Sequence, residues 1–223
     1  PFHEEDTFYN EFDMSWSGLD QPNEPQQHVV QTLLCPSDGG QTRLYMDEEY
    51  TRGKYFAKGN YAAFTTPFHT DLQLLFPGAL ISTGQKLSKV VDGTSKTIVF
   101  SEVRTRDNQR DERGAWALPW NAATLLAPDM HHDRVDGYGG FSPLLKQYIL
   151  DQTQLPNTIG PNRDILMRCD LETLADAQLD GMPCERWQWP LGLFGYISAA
   201  PRSMHVGGVN MALLDGHVGF LSD

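Results

Sequence analysis

Val209-Asn210-Met211-Ala212-Leu213-Leu214-Asp215-Gly216-His217-Val218-Gly219-Phe220-Leu221 stands near the C-terminal end of the sequence and decides its fold class. Two apolar, β-prone runs flank Asp215-Gly216, the dipeptide that suits a tight hairpin turn because both residues tolerate positive φ. With a two-residue turn, Leu214 opposes His217 and the pairing runs back until Val209 opposes Ser222. Alternation then gathers Val209, Met211, Leu213, Val218 and Phe220 on one face. Asn210, Ala212, Leu214, His217, Gly219 and Leu221 share the other, where Ala212 opposite Gly219 leaves a shallow notch. The apolar face of this antiparallel strand pair must be covered by the domain's own core.

Upstream, Val90-Val91-Asp92-Gly93-Thr94-Ser95-Lys96-Thr97-Ile98-Val99-Phe100-Ser101-Glu102-Val103 reads as an Asp92-Gly93 turn followed by a β-branched strand. Tyr61 to Phe64 is a second short strand, and Val29 to Leu34 is strand-like before the turn composition of Cys35-Pro36-Ser37-Asp38-Gly39-Gly40. The first residues suggest a short amphipathic helix with Phe2, Phe8, Tyr9 and Phe12 on one face. Residues 104–113 are a charged loop. Residues 104–198 as a whole read as a long irregular insertion, with helix candidates at 143–150 and 170–178. The expected class is α+β, in a single domain over residues 1–223.

Bulk properties narrow the function. The 223 residues include 40% hydrophobic and 11% aromatic side chains, enough for a packed core. Gly 20 and Pro 14 favour turns over long helices. The net charge of −12 disfavours nucleic acid and anionic lipid as partners, since both require clustered Lys and Arg. No run approaches the roughly 20 apolar residues that span a bilayer. Of three cysteines, Cys169 and Cys184 lie in a turn-rich stretch and can form a disulfide, which leaves Cys35 over.

The tail Pro201-Arg202-Ser203-Met204-His205-Val206-Gly207-Gly208 carries His205 nine residues before Asp215-Gly216. This resembles the signature of the prepilin-processing-associated H-x9-DG family, pilin-like proteins numerous in planctomycete bacteria. Three further stretches resemble that family in the same order: the aromatic-acidic opening Phe2 to Phe12, Leu34-Cys35-Pro36-Ser37-Asp38, and Asp92-Gly93-Thr94-Ser95-Lys96-Thr97 before a strand ending in Glu102. The resemblance implies a pilin-like antiparallel sheet and, upstream of this chain's first residue, a long hydrophobic helix that anchors an exported precursor in the inner membrane. It further implies a cell-surface or extracellular subunit of a type IV pilus or type II secretion pseudopilus, self-associating through that helix. Cys35, Asp92, Gly93, His205, Asp215 and Gly216 are the residues that carry the family pattern.

Chemistry is sparser. Asp129-Met130-His131-His132-Asp133 offers imidazoles and carboxylates that suit Zn²⁺ or Ca²⁺, or else forms a solvated polar loop. His205 and Asp215 cannot share an ion if an extended strand separates them, since the span is roughly 20 Å or more. No G-x-S-x-G, H-E-x-x-H or Walker loop is present. Trp116, Trp120, Trp187, Trp189 and Phe194 read as packing, as a subunit interface or as a sugar-stacking platform. The expected function is therefore a non-enzymatic filament subunit. An envelope-tethered module binding glycan or another surface ligand is the alternative, and a metal-dependent enzyme centred on His131 and His132 the more remote one.

Overall fold

The runs richest in β-branched and aromatic residues pair with one another. The computed structural model describes residues 9–130, 154–159, 163–187 and 198–223. Nine strands occur among the described residues: β1 (Leu44–Tyr45), β2 (Phe56–Ala57), β3 (Tyr61–Phe64), β4 (Ile98–Glu102), β5 (Leu125–Leu126), β6 (Asp164–Leu166), β7 (Cys184–Arg186), β8 (Gly208–Leu213) and β9 (Val218–Ser222). One α-helix, α1, spans Leu171–Leu179 among those residues. The central sheet has the order β5-β3-β4-β8-β9, with β5 parallel to β3 and the other pairs antiparallel. β1 with β2 and β6 with β7 form two small ladders beside it. The class is α+β with a C-terminal hairpin. No helix among the described residues is long and apolar enough to cross a membrane.

The hairpin forms in a register one residue away from the expected one. Its loop has three residues, Leu214 to Gly216: the Leu213 carbonyl accepts the Gly216 N–H (2.9 Å), and the Leu213 N–H donates to His217 O (2.8 Å). Gly216 takes φ 89°, and Asp215 accepts the His217 N–H at 3.1 Å. A turn closed by a left-handed glycine follows the strand twist as well as a two-residue turn does, so Asp-Gly alone does not choose between them. Val209 therefore faces Leu221, Met211 faces Gly219, and Ala212 faces Val218. A one-residue slip turns every β9 side chain over relative to β8. The expected Ala212–Gly219 notch does not exist; a Cβ at Gly219 would meet Met211 Cε at 3.1 Å. Val218 and Phe220, expected on the covered face, lie on the outer face at 75% and 50% exposure.

The described residues of 104–198, expected as an irregular insertion, enter the core. They supply Ala122, Leu126, Leu166, Cys169, Ala177 and Cys184 to the core that also holds Ala62, Val103 and Ala199. β5 is a strand of the central sheet, and α1 packs Ala177 and Leu174 against the same core. The helix starts where Asp170 caps it by accepting the Thr173 N–H (2.9 Å), one residue after the disulfide that joins Cys169 to Cys184 on β7.

The charged loop at 104–113 is also partly interior. Arg113 is fully buried and bonds Asp111 (2.7 Å) and Asp164 (2.9 Å); Arg202 grips the same Asp164 through Nε (2.8 Å) and Nη2 (3.0 Å). Buried charges are tolerated only when paired and hydrogen-bonded this fully. Val29–Leu34, expected as a strand, contains a 3-10 turn at Gln31–Leu33. The Leu33 carbonyl accepts the Asn60 N–H there (2.7 Å), so the tertiary contact overrides β propensity.

Candidate functional site

The site grows from the turn at Cys35. Asp38 donates its N–H to the Cys35 carbonyl (3.1 Å), closing the Cys-Pro-Ser-Asp turn. The buried Asp38 carboxylate accepts from Asn60 Nδ2 (2.6 Å), from the Thr105 N–H (3.0 Å) and hydroxyl (2.6 Å), and from Arg43 (3.2 Å). Asn60 in turn accepts the Cys35 N–H at 2.9 Å. The turn is thus bolted to β3 and to the segment after β4, and Cys35 is held buried at 7% exposure.

Glu102 ends β4, opposite Tyr61 of β3. Its side chain is 2% exposed; one oxygen accepts the Asn210 N–H (2.7 Å) and the other meets His205 Nε2 (3.0 Å). His205 is placed by the loop before β8: its N–H donates to Ser203 Oγ (3.0 Å), which donates to the Gly208 carbonyl (2.8 Å). Only glycine fits at 208, since a Cβ would lie 2.1 Å from the Leu221 carbonyl oxygen. The result is that Cys35 Sγ approaches the same His205 Nε2 at 3.6 Å.

Three stretches that carried the family pattern therefore meet at one point: Cys35 from the Cys-Pro-Ser-Asp turn, Glu102 from the strand after Asp92-Gly93, and His205 from the C-terminal signature. Asp92 and Gly93 stay in the exposed turn before β4, where Gly93 has φ 90° and its carbonyl accepts the Thr97 hydroxyl (2.9 Å). Asp215 and Gly216 occupy the hairpin tip, with Asp215 paired to His217. The H-x9-DG spacing thus marks the two ends of one strand. Sequence patterning flagged these residues singly; their meeting depends on β3, β4 and β8 lying side by side.

The chemistry of the cluster follows from which atoms meet. In a nucleophile–imidazole–carboxylate relay, the acid and the nucleophile engage opposite ring nitrogens. Here both converge on Nε2. Burial pushes the Cys35 thiol up, with the Glu102 carboxylate adding to the shift, and the Tyr61 phenol is raised for the same reason. A protonated thiol is a poor nucleophile.

The other sequence-based candidates distribute differently. Asp129 accepts from or faces His69, whose Nε2 lies 3.0 Å away, a partner that sequence patterning did not single out. His131, His132 and Asp133 lie outside the described residues. Trp120 packs edge-on against Tyr45 and Tyr50 (6.0 and 6.3 Å), and Trp116 against Phe12 (5.6 Å). Those two tryptophans serve packing; Trp189 and Phe194 lie outside the described residues. The Cys169–Cys184 disulfide is formed and Cys35 is free, as the sequence suggests.

A second feature adjoins the cluster. On the outer face of the sheet, register aligns Ala63, Phe100, Ala212 and Val218 in one row, with Phe220 in the next. Phe100 is 43% exposed there. No curated protein and no solved structure matches the chain. A family model described as "Protein of unknown function (DUF1559)" matches residues 1–223. Covered from its first residue to its last by that model, the chain belongs to the DUF1559 family.

Proposed function

We propose that this chain is the globular part of an exported, pilin-like structural subunit, which assembles into a pilus- or pseudopilus-like filament at the cell surface through a long N-terminal helix encoded upstream of it. The observation that carries the reading is the outer face of the central sheet, where Phe100, Val218 and Phe220 stay exposed beside the small side chains of Ala63 and Ala212. Contiguous apolar surface of this kind is costly in water and suits a packed partner. The corrected hairpin register strengthens the case, because it moves two large apolar side chains onto that face. An acidic chain with a disulfide fits an exported protein, and the family pattern fits pilin-like proteins.

Electron microscopy tests the proposal. The full-length subunit, expressed with its native upstream segment in a pilus-competent host, is expected to form filaments labelled by an antibody to this domain. Ala212→Trp or Phe220→Asp, which alter the outer face without touching the hairpin turn, are expected to abolish them. Monomers from the unaltered subunit, or normal filaments from both variants, would overturn the proposal.

A further inference from the structure

We propose that Cys35, Glu102 and His205 form a binding site for a borderline-soft divalent cation of the zinc class. One ligand atom from each lies within 4.8 Å of the others, with Nε2 to Oε1 at 3.0 Å and Nε2 to Sγ at 3.6 Å. A tetrahedral zinc ion with Zn–N near 2.05 Å and Zn–S near 2.3 Å sets its nitrogen and sulfur ligands about 3.6 Å apart, and its nitrogen and oxygen ligands about 3.3 Å apart. Two edges of that tetrahedron are thus nearly in place, and the sulfur and carboxylate oxygen lie no more than 4.8 Å apart. A shift of a few tenths of an ångström between imidazole and carboxylate brings the nitrogen–oxygen edge to its value.

The donor set selects the ion. A thiol and an imidazole beside a single carboxylate disfavour Ca²⁺ and Mg²⁺, which demand oxygen, and favour zinc. Binding exchanges the Cys35 thiol proton for a sulfur–metal bond, and that proton leaves to solvent. The orienting bonds a metal site needs are in place: Asn60 holds the Cys35 backbone, and the Asn210 N–H holds the far oxygen of Glu102. Cys35 and Glu102 are buried, whereas the His205 side chain is 29% exposed. Ion and water therefore arrive from the His205 side, and a water supplies the fourth ligand. Geometrically the ion would pin the Cys35 turn, the end of β4 and the approach to β8 together. Glu102 shares the sheet face of Phe100, two residues away, but ion binding is read on the chain by itself and filament formation on the full-length subunit, so failure of one is distinguishable from failure of the other.

Cobalt(II) titration of the disulfide-intact chain, after chelator treatment, tests the site directly. Cys35 is the one free thiol in the sequence, so a thiolate-to-cobalt charge-transfer band in the near ultraviolet can arise from no other residue. The expected result is that band, saturating at one equivalent and bleached by zinc. Cys35→Ser removes it while circular dichroism stays native. His205→Gln, close in size and unable to ligate through Nε2, weakens zinc binding by about tenfold or more in dye competition. Absence of the thiolate band in the unaltered chain overturns the proposal, even if cobalt binds elsewhere, for example near Asp129. So does zinc affinity that His205→Gln leaves unchanged.

Discussion

Replacing Asp164 by Asn tests whether the interior charge cluster holds the two halves of the chain together. The side chain keeps its size but loses its charge, and part of its accepting edge becomes a donor. In the folded protein the carboxylate accepts from Arg113 Nη1 (2.9 Å), Arg202 Nε (2.8 Å), Arg202 Nη2 (3.0 Å) and the Ala200 N–H (3.1 Å). Arg113 would retain Asp111, to which it is bonded through two nitrogens. Arg202 would retain only the carbonyls of Thr158 and Gly181 (2.6 and 3.4 Å). Removing one partner of a buried ion pair costs about 3–5 kcal/mol, and Arg113's second carboxylate places this case at about 3–4 kcal/mol. With a urea m-value of about 2.5 kcal/mol/M, the unfolding midpoint should fall by about 1.2–1.6 M. Adding Arg202→Met to Asp164→Asn should recover part of that loss, because the uncompensated charge is then gone. The control is Asp20→Asn at the exposed Arg52–Asp20 pair, expected to leave the midpoint nearly unchanged. A loss for Asp164→Asn no larger than the control's would refute the reasoning, since the buried Arg202–Asp164–Arg113 cluster would then add no net stability.

Two further predictions concern the same interior. Burial, with Asp111 beside it and against the N–H groups of Met167 and Arg168, pushes the Glu112 carboxyl up to about 8. The folded chain therefore keeps a proton that the unfolded chain has lost, so stability is greatest below the ordinary glutamate range and declines as pH rises towards about 8. Glu112→Gln, neutral throughout, should match the unaltered protein near pH 5 and exceed it by about 3–4 kcal/mol near pH 8; parallel pH profiles in urea melts would count against it. Changing both Cys169 and Cys184 to Ser frees the 15-residue separation they close and should cost about 3 kcal/mol, read as the midpoint difference from the oxidised protein. An unchanged midpoint would mean that the staple adds nothing to stability.

Much of the local structure was legible from residue order. Ile98 to Glu102 and Tyr61 to Phe64 read as strands because β-branched and aromatic side chains suit a pleated, half-buried surface, and both are strands. Residues 170–178 read as a helix candidate, and a helix spans Leu171–Leu179, begun by the Asp170 carboxylate accepting an N–H group that the first turn leaves over. Cys169 and Cys184 were pairable from loop composition and from the export that the family resemblance implies. Asp215-Gly216 announced a hairpin but left its register open, because a two-residue and a three-residue loop accept the same dipeptide and only the fit of β8 against β4 chooses. Residues 104–113 read only as a charged loop, since burial of Arg113 depends on Asp164, 51 residues away in sequence. The meeting of Cys35, Glu102 and His205 was hidden for the same reason. Each belongs to a recognisable stretch, but convergence on one imidazole nitrogen requires β3, β4 and β8 to be neighbours and Gly208 to bend the chain before β8. Local propensity follows from a residue and its near neighbours, whereas a site assembled from positions 35, 102 and 205 exists only once the sheet has closed around it.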